Sequence, residues 1–312
     1  MESQKEQRLS NQVTMDASRD ESPDAVSQVS SVPDGSSGKT QVALGQLTLA
    51  STAFWGFLTT QFLGAFNDNY FKQMVLLICA SNVAVVAGKG AANPDRQSLA
   101  MAAFALPFVL LSGLGGYMSD RFSKQYVIIG SKVAEIVIMA IAFVVLLIPG
   151  LSADAQLMWL ISVLFLMGGQ SAIFGPSKYG ILPELFRADK LLPVNGAVQM
   201  TTFLAIIFGT VCAGMALDSI REFLWVGSVI AVGIAIAGTV SSLLVPRTRV
   251  AEPNLKMRVE NLAIPADVAR LVFRERGLLK AVLVAAVFWF LGGVTQMAVN
   301  TLGKSTMGLS AT

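Results

Sequence analysis

Apolar runs long enough to cross a bilayer recur along the chain, at residues 54 to 82, 98 to 118, 126 to 148, 156 to 175, 196 to 217, 222 to 245 and 279 to 300. About 20 residues at 1.5 Å rise span the hydrocarbon core, so each run predicts a transmembrane helix. The first six follow closely on one another, and a polar stretch from 246 to 278 separates them from the seventh. Residues 1 to 42 break the pattern. They are rich in Ser, Gln, Asp and Glu, and bury too little apolar surface to offset the entropy of ordering, which predicts a disordered tail. They lack a charged segment followed by a short apolar core and a small-residue cleavage site, so no cleaved signal peptide is expected.

Composition agrees with the pattern. The chain is 54% hydrophobic and 14% charged, where soluble domains carry about 25% charged residues. A net charge of +3 is too small to point to a nucleic-acid partner, so the placement of the bases matters more than their sum. Arg121 and Lys124, then Lys178, Arg187 and Lys190, then Arg247, Arg249, Lys256 and Arg258 follow the even-numbered spans. The opposite loops hold Asp95, Asp154, Asp218 and Glu222 against Lys89, Arg96 and Arg221. Basic loops stay inside, which places the N-terminal tail and the 246–278 segment in the cytoplasm of a multi-pass protein. Within that segment, VARLVFRERGLLK sets Val268, Leu271 and Val272 on one helical face, with Arg270, Arg274 and Arg276 mostly on others. This predicts an interfacial helix on the inner leaflet.

Candidate chemistry is narrow. The sequence has no histidine, which excludes a Ser-His-Asp or Cys-His nucleophile, a histidine-ligated metal and the His-x4-Asp pair of glycerolipid acyltransferases within these residues. No metal or cofactor is expected. Cys79 and Cys212 lie in separate apolar runs and read as small core residues. The first span, by contrast, carries LGAFNDNYFKQMVLL, with Asn67, Asp68, Asn69, Lys72 and Gln73 near mid-bilayer. Asp68 and Lys72 are four apart on one face, acid first, which is the favourable order for a pair. A charge at that depth costs at least about 2.5 kcal/mol and turns toward the bundle interior or a wet cavity. The pair either neutralises itself and holds helices together or lines a polar pathway; the flanking asparagines favour the pathway.

Three further strings carry signal. GGYMSDRFSKQ, 115 to 125, closes span two with Gly115 and Gly116, which let backbones approach, and a cluster of Asp120, Arg121 and Lys124. FGPSKYGILPEL, 174 to 185, contains Gly175-Pro176, expected to end or kink span four, with Lys178 at its end. NGAVQMTTFLAIIFGT, 195 to 210, opens span five with Asn195 and Gln199 one helical turn apart. Lys132 and Glu135 in span three are placed for a structural salt bridge, or for Lys132 to snorkel.

The 115–125 string resembles the signature loop between helices two and three of the major facilitator superfamily, with Gly116, Asp120, Arg121 and Lys124 matching and Ser123 where a glycine is usual. By that resemblance those four are gating residues that latch two six-helix halves. QFLGAFNDNYFKQ, FGPSKYGILPEL and NGAVQMTTFLAIIFGT resemble the lysophospholipid transporter family of that superfamily, over about residues 54 to 300. The family occurs alone or fused to acyltransferase and acyl-carrier-protein ligase domains.

The resemblance implies an all-α membrane protein built as the N-terminal six-helix bundle of a major facilitator fold plus a seventh span. The domains expected are a cytoplasmic tail (1–42), the bundle (43–245), a basic linker (246–278), and the seventh span with the start of a second bundle (279–312). The chain is expected to be a truncated product, because the family's second bundle would lie beyond it. Implied function is the movement of lysophosphatidylethanolamine-like lipids across the bacterial inner membrane for reacylation. The alternatives are the membrane part of a fused acyltransferase, whose chemistry would lie beyond residue 312, or another major facilitator transporter. Asp68 would meet the headgroup ammonium and Lys72 or Lys178 its phosphate, with Asn67, Asn69, Asn195 and Gln199 as further contacts. The partners implied are the lysolipid, membrane lipids and an acyltransferase, separate or fused.

Overall fold

The computed structural model describes residues 47–80, 96–219, 223–257 and 266–303, all within one compact unit, Gln41–Thr312. The expected disordered tail and part of the basic linker lie outside the described residues. Long helices occupy the expected spans: α1 (Thr52–Cys79), α2 (Gln97–Arg121), α3 (Lys124–Leu147), α4 (Ala153–Gly180), α6 (Leu191–Ser219), α7 (Leu224–Ser242) and α9 (Arg276–Thr301). A single turn, α5 (Leu182–Leu185), and a 3-10 turn (Ala188–Lys190) join α4 to α6, and the short α8 (Ala266–Arg274) precedes α9.

Among the described residues six helices are long and apolar enough to cross a membrane, counting α4 with α5 and the 3-10 turn with α6. The first expected span, α1, is not among them although it has 28 residues, because its polar centre lowers its hydropathy. The bundle hides what lipid would reject. Sixteen of the 28 residues of α1 are buried, whereas α9 buries only Asn300 of its 26. Its main neighbours are α6 and α7, with α2 and α4 beside them, so α1 runs through the interior.

The apolar core divides along α1. One cluster joins Phe54, Phe57 and Leu58 to Ile128, Leu182, Phe186 and Val198; the other joins Tyr70, Phe71, Met74 and Leu76 to Met139, Leu164 and Met167. Between them on α1 lie Gln61, Gly64, Asn67 and Asp68. A polar belt therefore crosses the bundle between two greasy plugs.

Helices α2 and α4 pack together most extensively, through reciprocal glycine and proline contacts. A Cβ on Gly115 would stand 2.7 Å from Ala172 O and 3.3 Å from Pro176 Cγ; one on Gly168 would overlap Phe104 O and approach Pro107 Cγ to 3.3 Å. Each proline lies inside its helix and removes the amide that would bond the carbonyl four residues back, here Ala172 for Pro176. Gly175-Pro176, expected to end or kink span four, does not end it: α4 continues to Gly180 and caps there, with Ile181 N donating to Ser177 O at 3.1 Å. Close packing on α2 compensates locally for the missing bond.

The α2–α3 connection is only Phe122 and Ser123, at φ −120° and −58°. Both are ordinary extended backbone. The turn therefore needs no glycine at position 123.

Candidate functional site

The belt is built from α1 outward. Lys132 and Glu135 on α3 form a completely buried ion pair, and Asn67 Nδ2 donates to Glu135 Oε1 at 2.7 Å. Lys132 lies against Gly64, where any Cβ would overlap its Nζ, and over the Phe174 ring at 5.5 Å. The structural salt bridge expected of this pair is present, and snorkelling is not. Asn67, expected as a substrate contact, is fully buried and holds Glu135 through this bond.

Asp68 faces α4. Its Oδ2 accepts from Ser171 Oγ at 2.6 Å. The same hydroxyl is 2.9 Å from Gln170 Oε1, but with one proton to give it favours the charged acceptor. Asp68 Oδ1 is enclosed and has no hydrogen-bond partner among the described residues. An enclosed carboxylate oxygen of this kind has room for a donor from water, an ion or a ligand.

Lys72 forms no ion pair with Asp68, the alternative to a pathway-lining role. No Asp68–Lys72 bridge occurs among the described residues; Lys72 Nζ donates to Asn69 Oδ1 at 2.8 Å and lies 5.3 Å from the centre of the Phe104 ring. Asn69 in turn donates to Ala65 O at 2.7 Å, so it serves as a strut for the lysine. A turn of helix brings residues 68 and 72 to the same face, yet each finds a nearer partner.

Lys178, at the end of α4, is 8% exposed. Its ammonium donates to Thr202 Oγ1 on α6 at 3.2 Å, and Thr202 donates to Gln61 Oε1 on α1 at 2.9 Å. Gln61 Nε2 closes the group by donating to Val198 O at 3.2 Å. Both Lys72 and Lys178 lie within electrostatic reach of Asp68. The structure thus gathers one carboxylate and two ammoniums from α1 and α4 beside a separately neutralised Lys132–Glu135 pair. Ser171, Thr202 and Gln61 complete the site: Gln61 opens the QFLGAFNDNYFKQ string seven residues before Asp68, Thr202 lies within NGAVQMTTFLAIIFGT three after Gln199, and Ser171 precedes Lys178 by seven, two helical turns.

The other predicted contacts lie elsewhere. Asn195 is exposed on α6, and Gln199 lines a cleft of about 610 Å³ between α6 and α9, with Phe203, Lys280 and Trp289. Neither makes a hydrogen bond to the Asp68 group. Gln73 points to α9: Gln296 donates to Gln73 Oε1 at 2.7 Å, Gln73 to Asn300 Oδ1 at 2.9 Å, Asn300 to Gln97 Oε1 at 3.0 Å and Gln97 to Thr301 Oγ1 at 2.9 Å. This amide chain ties α1, α2 and α9 together.

At the opposite end, Lys124 is buried in an ion pair with Glu184 of α5, and Asp120 O accepts from Glu252 N at 2.9 Å. Asp120 itself is exposed, Arg121 lies 5.8 Å from the Phe122 ring, and a Cβ on Gly116 would meet nothing within 4 Å. Lys124 is therefore committed inside its own bundle, while the Asp120 side chain faces outward.

The helices, with a two-residue turn between Arg121 and Lys124 joining the second to the third, can now be compared with known proteins. The family model of the Major Facilitator Superfamily matches residues 42–312. The chain belongs to the Major Facilitator Superfamily. Among curated relatives, the lysophospholipid transporter LplT of Salmonella enteritidis PT4 is 28% identical over 250 residues, covering 76% of this chain and 54% of the relative. The one from Cronobacter sakazakii is 29% identical over 217 residues, covering 68% and 47%. This superfamily member thus spans about half the length of the curated relatives it matches. A crystal structure of the peptide transporter POT in complex with sulfate superposes with a TM-score of 0.51 at 19% identity, covering 79% of this chain and 48% of the other. That likeness concerns the fold. Of the two cysteines, Cys79 is buried and Cys212 partly so.

Proposed function

We propose that this major facilitator protein serves the movement of lysophospholipids across the bacterial inner membrane, with lysophosphatidylethanolamine-like lipids as substrate class. One observation carries the reading: Asp68 Oδ1, enclosed without a donor, within electrostatic reach of two ammoniums that are neutralised by no ion pair among the described residues. A zwitterionic headgroup presents the complement. Its ammonium supplies the donor Asp68 lacks, and its phosphate meets Lys72 or Lys178. The curated relatives named as lysophospholipid transporters support that choice over other substrates of the superfamily.

The polar belt would then lie at the interface toward a second bundle, with access alternating as the two rock about it. Cytoplasmic placement of the α2–α3 loop follows from the basic loops. In this reading Asp120 and Arg121 belong to the gate, while Lys124 holds α5 in place. Reacylation would follow on the inner leaflet, in an acyltransferase that is a separate partner or a fused domain.

The test is uptake of labelled lysophosphatidylethanolamine by spheroplasts expressing the complete protein. Asp68→Ala and Lys178→Ala should each lower it at least about tenfold, the loss of a charge-assisted contact, at unchanged protein level. Wild-type uptake in both variants would remove these residues from the substrate path.

A further inference from the structure

The short helix α8 is bound to no role by the transport reading, and its faces are sharply divided. At about 100° per residue, Arg270 and Arg274 fall within one narrow stripe, and Val268, Leu271, Val272 and Phe273 occupy the rest of the circumference. That apolar face is open: Val268 is 44% exposed, Leu271 52% and Phe273 73%.

We propose that α8 lies flat on the lipid bilayer where α9 enters it, with its apolar face among acyl chains and Arg270 and Arg274 on anionic phospholipid headgroups. The joint to α9 fixes the location. Only Glu275, in extended backbone at φ −87° and ψ 95°, separates Arg274 from Arg276, the first residue of a helix long and apolar enough to cross the membrane. Two Cα–Cα steps reach at most about 8 Å, so the end of α8 cannot leave the interface where α9 begins. The break at Glu275 allows α8 to turn away from α9 and lie in the plane.

Charge complementarity selects the surface. From residue 266 to 280 the bases are Arg270, Arg274, Arg276 and Lys280 against the acids Asp267, which shares the arginine stripe, and Glu275, so the segment is net basic. Basic residues beside a wide apolar face are the composition of a helix that binds anionic lipid. This inference holds whatever the substrate is.

The experiment labels the complete protein, in a Cys79→Ala, Cys212→Ala background, with a nitroxide at Leu271→Cys, Val272→Cys or Arg270→Cys. Each is reconstituted in vesicles of phosphatidylcholine alone or mixed with phosphatidylglycerol, and accessibility is read with oxygen and a water-soluble nickel chelate. Positions 271 and 272 should be oxygen-accessible and 270 nickel-accessible, with deeper immersion in the anionic vesicles. Arg270→Glu with Arg274→Glu should remove the dependence on phosphatidylglycerol, and Arg270→Lys with Arg274→Lys should retain it. Three outcomes would overturn the proposal: nickel access all round the helix, shielding of 271 from both reagents as in a protein contact, or equal depth in both kinds of vesicle.

Discussion

Lys132, Glu135 and Asn67 illustrate how one residue's neighbourhood decides its meaning. With both charges buried, removing one partner leaves the other uncompensated at a cost of about 3–5 kcal/mol, while replacing both with apolar residues of similar size is far milder. Lys132→Met should therefore lower the midpoint of thermal unfolding in detergent steeply, and Lys132→Met with Glu135→Leu should recover most of the loss. A single variant as stable as wild type would mean that the pair is not buried as seen. Gly64→Ala should act in the same direction, since its methyl group must displace the Lys132 ammonium. At this scale the Lys132–Glu135 pairing was legible in the sequence, whereas the partners of Asn67, Asp68 and Lys72 were not. Asp68 and Lys72 share a helical face, but Ser171 and Asn69 are better placed as partners.

At the scale of elements, the helices follow from hydropathy, and their packing follows from small residues. Alanine favours a helix by about 1 kcal/mol over glycine where there is room. Gly175→Ala, with nothing within 4 Å of the added carbon, should be neutral or stabilising; Gly168→Ala, which would overlap the Phe104 carbonyl oxygen, should destabilise by forcing α2 and α4 apart. Paired unfolding measurements check the opposite signs. The attachment of α9 is a different kind of contact. Membrane-buried side-chain hydrogen bonds contribute about 0.6 kcal/mol each on average. Asn300→Leu, which breaks two links of the amide chain, should leave α1–α7 folded yet reduce disulfide cross-linking between Gln97→Cys and Thr301→Cys in the cysteine-free background. Undiminished cross-linking would show that other contacts hold α9. Pro176 lies inside α4 without ending it, because proline removes one backbone bond and a helix can continue past that gap.

The whole molecule is apolar outside and polar within. Trp55, Trp159, Phe208, Val240 and most of α9 are exposed, while Gln61, Asn67, Lys132 and Glu135 are not. A contiguous surface of that kind is stable only in lipid. The protein should remain in the membrane pellet after alkaline carbonate washing and be released by detergent alone; release by carbonate would refute an integral arrangement. The same inversion explains why α1, the helix least able to cross a membrane by hydropathy, is the one the others surround.

The sequence by itself determined the number and length of the apolar helices, the charged loop between the second and third, the amphipathic character of residues 268–274 and the superfamily to which the chain belongs. These are local or periodic properties, recorded in consecutive residues. Tertiary structure alone decided which polar groups satisfy one another: Asn67 with Glu135 across 68 positions, Gln73 with Asn300 across 227 and Lys178 with Thr202 across 24. Hydropathy measures only how costly it is to leave such a group in lipid. The partner that removes the cost comes from another helix, and its identity depends on how the helices cross.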